Sequence, residues 1–300
     1  MKYLLLGGSG FIGSFLASSL AKEHDVTVIG HGPKFGLPNV KYQQLDFTGC
    51  KDFTKYIKDI DVIIHMVSTI IPSDNLSNVN QEIADNIFPT TILLKNAAEL
   101  KKEVVFISSG GTVYGENSKK NSEFDPENPI CNYGITKLMI EKYLHLYHHF
   151  YGLKYKVIRL SNPYSEAVYH GKKQGVIPVI IDSIVKDRVI PVWGDKEVRD
   201  YIHIDDAIAG IIAVLNYKGK VRVFNLGSGI GHTVHNIITL AESKLNKKAK
   251  IEYHPARKCD VEKNVLDISL IKKETGWTPN IPLSKGIDKI IAQKTNGEKI

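Results

Sequence analysis

The sequence predicts an α/β protein, a doubly wound parallel sheet carrying a smaller, interleaved C-terminal α/β domain. Three observations predict it. Strand-like runs recur at Tyr3–Leu6, Val26–Ile29, Val40–Leu45, Asp61–Met66, Val104–Ser108 and Lys156–Leu160. Helical spacing fills the gaps at Cys50–Lys58, Asn80–Leu100 and Thr136–Tyr151. A glycine-rich stretch, Gly7 to Gly13, stands between the first strand and the first helical face. Apolar strands alternating with helices imply a parallel sheet covered on both faces.

Tyr3–Leu6 is apolar throughout, as a strand buried on both faces should be. Gly7-Gly8-Ser9-Gly10-Phe11-Ile12-Gly13 follows at once, and Phe15, Leu16, Ser19 and Leu20 then mark one side of a helix. Strand, glycine turn and helix form the Rossmann-type context in which glycines let a pyrophosphate approach the backbone and sit on the helix N-terminus. The second strand ends at Gly30-His31, where an acidic residue would hold a ribose 2′-hydroxyl and mark NAD. His31 and Lys34 could instead meet a 2′-phosphate, so NADP stays open beside NAD. Asp46 ends the third strand, where the adenine would lie.

Beyond Leu160 the pattern shortens, punctuated by Asn162-Pro163, Gly171, Gly175, Pro178, Pro191 and Gly194. Ile204–Leu215 reads as a helix capped by Asp205 or Asp206, and Val221–Leu226 as a returning buried strand. A last helix is expected from near Asp267 to Gly276, and a frayed polar tail from Gln293. The expected division is a dinucleotide-binding domain over 1–161, with about 204–225 returning to it, and a substrate domain over 162–203 and 226–300.

The chain has 300 residues, 43% hydrophobic and 24% charged, enough for a full core. Its net charge of +7 is spread over scattered lysine pairs with no basic run, so no nucleic-acid partner is expected. Cys50, Cys131 and Cys259 give neither a disulfide framework nor a zinc spacing, and a reducing cytoplasm fits; no metal is expected. The apolar start is interrupted by glycines without a cleavage pattern, and no stretch of about 20 apolar residues exists, so neither a leader nor a membrane span is expected.

Tyr133 and Lys137 stand four apart at the start of a helical pattern, on one face. A phenol ordinarily ionises near pH ~10. A nearby ammonium favours the phenolate, and a phenol so tuned can exchange a proton with a sugar hydroxyl.

With these residues assembled, the chain resembles the extended short-chain dehydrogenases/reductases, and among them the NAD-dependent epimerase/dehydratase family of the UDP-glucose 4-epimerase type. The matching pieces are Gly7–Gly13, Leu45-Asp46-Phe47, His65–Ser68, Asn86, Ser108-Ser109-Gly110-Gly111-Thr112-Val113-Tyr114-Gly115, Tyr133–Lys137, Arg159–Pro163, Val192-Trp193-Gly194, Arg199–His203, Phe224–Gly227 and Arg257 to Asp260. The resemblance implies that Tyr133 is the acid/base and that Lys137 holds the nicotinamide ribose. Gly7, Gly10, Phe11, Ile12 and Gly13 would follow the pyrophosphate, and Asp46 and Phe47 would flank adenine. His65, Met66, Val67, Ser68, Asn86 and Ser108 would line the cofactor, with His31 near its ribose. Ser109, Gly110, Tyr133, Asn162, Val192, Arg199 and Arg257 would meet a nucleotide sugar, the arginines gripping its diphosphate.

One departure stands out. The family places a hydroxyl three residues before the valine of Val-Tyr-Gly, and here that position is Gly110. Ser109 and Thr112 jointly are expected to replace it. The Asp-Glu pair of the dehydratase branch is Gly110-Gly111, which can move no proton. The implied activity is a nucleotide-sugar 4-epimerase acting on a UDP-hexose with bound NAD, as a cytoplasmic homodimer joined through Asp85–Leu100 and Thr136–Tyr151. The alternatives are an NADPH-dependent nucleotide-4-keto-sugar reductase and a non-catalytic dinucleotide-binding regulator, the latter favoured by Gly110 alone.

Overall fold

The computed structural model describes residues 1–32, 36–70, 78–166, 168–169, 172–173, 175–194, 196–257 and 260–295. Lys34, Gly171 and Cys259 lie outside them.

In chain order the elements are β1 (Lys2–Leu6), α1 (Phe11–Leu20), β2 (Asp25–Gly30), β3 (Val40–Gln44), α2 (Thr54–Ile57), β4 (Val62–His65), α3 (Val79–Glu99), β5 (Glu103–Ser109), α4 (Asn132–Tyr151) and β6 (Lys154–Leu160). There follow β7 (Asn162–Tyr164), β8 (Val168–Tyr169), β9 (Lys172–Lys173), α5 (Val176–Val185), β10 (Val189–Trp193), β11 (Val198–His203), α6 (Ile204–Asn216) and β12 (Val223–Leu226). The chain ends with β13 (Gly231–Thr233), α7 (Val234–Leu245), β14 (Lys250–His254), β15 (Lys263–Asn264), α8 (Ser269–Thr275) and α9 (Leu283–Thr295).

The central sheet has seven parallel strands in the order β12-β6-β5-β4-β1-β2-β3. The period of two in β1 divides its side chains between two cores. Tyr3 and Leu5 pack with α1 and α6 residues such as Leu16 and Ile211, whereas Leu4 and Leu6 pack with Leu93 and Ile140 of α3 and α4. A third core, around Ile177, Ile181, Ile237 and Ile287, joins α5, α7 and α9. The strand order reverses between β1 and β4, which opens a crevice at their C-terminal ends. Among the described residues no helix is long and apolar enough to cross a membrane.

Several boundaries differ from expectation for local reasons. The helix expected over Cys50–Lys58 shrinks to α2, because the Asp52 carboxylate accepts from Thr54 N and stops helix growth toward Cys50. α4 starts at Asn132, so Tyr133 already lies in its first turn; the helix ends at Gly152 with φ +67, where glycine carries no Cβ penalty. α6 is capped by His203, whose Nδ1 accepts from Asp205 N, and neither aspartate is the cap. Asp206 accepts instead from the backbone N–H groups of Asn280 and Ile281.

Candidate active site

The crevice contains a cleft of about 540 Å³. Its floor is the turn from β1 into α1. Gly10 is the N-cap of α1, with no side-chain cap and no acid in the first turn, so the free N–H groups of Phe11, Ile12 and Gly13 point a positive helix end into the cleft. Gly7 has φ +78, and a Cβ there would stand 3.1 Å from Val67 N, so the turn passes directly beside the chain leaving β4.

Across the cleft stand Ser108 and Ser109 at the end of β5, and Tyr133 and Lys137 from α4. Lys137 is buried; its Nζ donates to Ile107 O at 3.1 Å and lies 4.8 Å from the Phe106 ring centre and 5.6 Å from that of Tyr133. Burial lowers the Lys137 pKa to about 8, partly offset by Glu141. Burial, with a smaller push from Cys131, raises the Tyr133 phenol to about 12. The expected pull of the Lys137 ammonium toward the phenolate is thus outweighed by burial. The ammonium is committed to a carbonyl and faces the ring, while the phenol pays the desolvation of a charged form.

The structure also separates the hydroxyls around Gly110. A Cβ on Gly110 would lie 2.6 Å from Leu266 Cδ1 and 2.9 Å from Arg159 O, so this position faces packed chain and does not line the cleft. Ser109 lines it; the Thr112 hydroxyl is buried away from it, without a hydrogen-bond partner. Of the two hydroxyls expected to act jointly, Ser109 is the one that lines the cleft.

Met66 and Ser68 line the cleft, but His65, Val67, Phe47 and Asn86 do not. His65 is buried, its ring between Phe47 and Phe106, and burial takes its pKa down to about 3. Asn86 accepts from Thr69 N at 3.1 Å and fixes the chain after β4 from behind. His31 and Asp46 are exposed at the β2–β3 edge, outside the cleft, where the Asp46 carboxylate accepts from Thr48 N and Oγ1. Asn162 lines the cleft and donates to Asp200 O at 2.8 Å.

Val192, Arg199 and Arg257 line a second cleft of about 490 Å³. Gly175, Val176 and Tyr201 line both clefts. Arg199 pairs with Asp260 at 3.4 Å. The Arg257 guanidinium lies 4.5 Å from the Trp193 ring centre, and His254 stacks with the Trp193 ring at 5.0 Å. Trp193, which its residue type alone would send to the core, is 41% exposed. Sequence reading did not single out Tyr201 as a lining residue. Its signal was the strand period: Arg199 and Tyr201 share one face of β11, while Asp200 turns inward to accept from Ser228 N and Gly229 N.

Residues 3–227 match the model of the NAD dependent epimerase/dehydratase family. A dTDP-4-dehydro-6-deoxyglucose reductase of Escherichia coli is 34% identical over 96% of each chain. A putative UDP-glucose 4-epimerase of Methanocaldococcus jannaschii is 30% identical over 99% of each. Among solved structures, UDP-glucose 4-epimerase of Thermotoga maritima with UDP-glucose superposes with a TM-score of 0.88 at 26% identity, covering 99% of both chains. UDP-glucuronic acid 4-epimerase of Bacillus cereus, in complex with UDP-glucuronic acid and NAD, gives 0.88 at 26% identity, over 98% of this chain and 100% of that one. A parallel sheet with a glycine turn at its switch point and a Tyr-Lys helix across the crevice thus coincides with a family match over most of the chain, and the protein belongs to the NAD-dependent epimerase/dehydratase family of extended short-chain dehydrogenases/reductases.

Proposed function

We propose that this protein is a nucleotide-sugar 4-epimerase that works on a UDP-hexose with bound NAD. One observation carries the reading: Tyr133, Lys137 and Ser109 line the same cleft as the free amides of α1, and that cleft shares a wall with the cleft of Arg199 and Arg257. The chain fits a dinucleotide at the turn. A Cβ on Gly10 would meet only Gly7 O, closely, at 3.1 Å, and the helix end beyond it is an uncompensated anion site. The solved relatives with NAD and with UDP-glucose support the same pairing of ligands.

In this reading the N–H groups of Phe11 to Gly13 hold the pyrophosphate and Lys137 holds the nicotinamide ribose. Bound NAD supplies a reversible hydride acceptor for C4 and a positive charge that favours the phenolate. Tyr133 takes the O4 proton, with the Ser109 hydroxyl bridging to it. Arg199, Arg257 and Asn162 tether the diphosphate while the 4-keto sugar turns its other face, and Tyr133 then returns the proton. The test is to mix the purified protein with UDP-glucose or UDP-N-acetylglucosamine and follow the C4 epimer by NMR. Its appearance without added cofactor supports the reading. No conversion of any nucleotide hexose overturns it.

A second reading, a nucleotide-4-keto-sugar reductase, has two specific observations behind it. One is the 34% identical reductase. The other is Gly30 at the end of β2: its Cβ direction runs into the Ser9 hydroxyl, so the ribose edge offers Ser9 and His31 in place of an acid. Stoichiometric oxidation of external NADPH or NADH by a dTDP- or UDP-4-keto sugar would select this reading, because an epimerase regenerates its cofactor each cycle.

A further inference from the structure

A set of buried charges lies behind the cleft, and the reaction as proposed makes no use of it. Glu141 is on α4, one turn beyond Lys137, and is buried. Its carboxylate is fixed from two elements. Arg159 Nε and Nη2 donate to Oε2 at 3.1 and 2.7 Å, and Ser108 Oγ donates to Oε1. Arg159 sits on β6 directly opposite Ser108 of β5. Its Nη2 also donates to Glu127 Oε1 at 2.6 Å and its Nη1 to Tyr114 OH at 2.9 Å; Tyr114 OH in turn donates to Asn225 Oδ1.

We propose that Glu141 is a positioning residue: clamped by Arg159 and Ser108 one turn beyond Lys137, its fixed negative charge supports the Lys137 ammonium beside the Tyr133 ring. The inference rests on the roles given to Tyr133 and Lys137 above. Around Lys137 stand Tyr133 and Glu141 of its own helix, the Ile107 carbonyl and Phe106 ring of β5, and His65 of β4, which burial keeps neutral. The anionic charge that bears on Lys137 is that of Glu141. Arg159 also pairs with Glu127, which it shares with Lys142 at 3.1 Å.

A purely structural ion pair makes a different prediction. Removing it would lower stability and leave the titration of Lys137 alone. Glu141→Gln removes the charge that favours ammonium and leaves Arg159 less compensated, and both effects lower the Lys137 pKa. The alkaline limb of kcat therefore moves to lower pH by about one unit. kcat falls while KM for the nucleotide sugar is unchanged, because Glu141 bonds Arg159 and Ser108 and none of the residues that tether the diphosphate. In ligand-free protein, NMR titration of the Lys137 side chain shows the same displacement without reference to turnover. Glu141→Asp keeps the charge and restores the limb with a lower kcat.

An unmoved limb and an unmoved Lys137 titration in folded Glu141→Gln would overturn the proposal. Should that variant not fold, Glu141→Asp decides: reduced kcat at wild-type KM supports positioning, and wild-type kcat overturns it. If the wild-type protein turns over no nucleotide sugar, the functional reading fails, yet the Lys137 titration still tests Glu141.

Discussion

At the scale of single residues, the site trades stability for chemistry. Lys137 has few partners for a buried ammonium, and burial takes its pKa from 10.5 to about 8. Between those values the unfolded chain holds a proton that the folded chain has released, so stability rises with pH across that window. Below it, the folded chain carries the full penalty of a poorly solvated charge, which a displacement of this size puts at a few kcal/mol. Lys137→Met is accordingly expected to raise the melting temperature of the ligand-free protein at neutral pH, to erase the gain between pH 8 and 10.5 in urea unfolding, and to abolish turnover. A destabilised Lys137→Met would mean that the ammonium is better satisfied than its surroundings indicate. Tyr133→Phe removes only the hydroxyl of a half-buried ring. Activity is expected to fall by two or more orders of magnitude with unfolding unchanged; full turnover in that variant would take the proton-transfer role from Tyr133.

At the scale of elements, the β1–α1 turn shows what a sequence can and cannot disclose. Gly10 and Gly13 look alike in the chain, yet their surroundings differ. A Cβ on Gly13 would strike backbone, at 2.5 Å from Gly8 Cα and 2.7 Å from Gly7 O, whereas one on Gly10 meets only Gly7 O at 3.1 Å. Gly10→Ala should lose little stability, since its φ of −80° is ordinary for alanine and only Gly7 O, at 3.1 Å, must give way, and should lose dinucleotide affinity because the new methyl enters the cleft. Gly13→Ala should lose stability as well as binding. Thermal unfolding and NAD binding by calorimetry separate the two, and equal losses would contradict this division. The central sheet was legible because apolar strands and amphipathic helices alternate with unambiguous periods. β10, β14 and α9 were not, because each offers only a few apolar side chains, which are gathered into one core by α5 and α7. Ser109 and Thr112 could not be ranked from sequence, since the difference between them is the direction in which a tight turn throws each hydroxyl. Gly110 was visible as a departure, but the reason no side chain fits there, Leu266 and the Arg159 carbonyl, lies 156 and 49 positions away.

At the scale of the whole molecule, α4 faces two ways. Tyr133 and Lys137 line the cleft and Glu141 is buried behind it, while Ile135, Leu146 and Phe150 look outward, Phe150 being 68% exposed. Leu146 and Phe150 are one turn apart, and Ile135 falls on the same face three turns earlier. The neighbouring α3 adds Phe88, 61% exposed. A patch of large apolar side chains on two packed helices is the surface a partner covers. We propose that the partner is a second copy, the two α3–α4 pairs closing a four-helix bundle about a two-fold axis. Light scattering should give about twice the chain mass of 33.5 kDa. Leu146→Glu with Phe150→Glu, by burying charge at the centre of the contact, should return the mass to that of one chain. NAD affinity should stay within a few-fold of wild type, because the substituted positions lie on the C-terminal half of α4, away from Tyr133 and Lys137. A wild-type monomer, or a double variant that remains dimeric, would show that this apolar face serves something other than self-association.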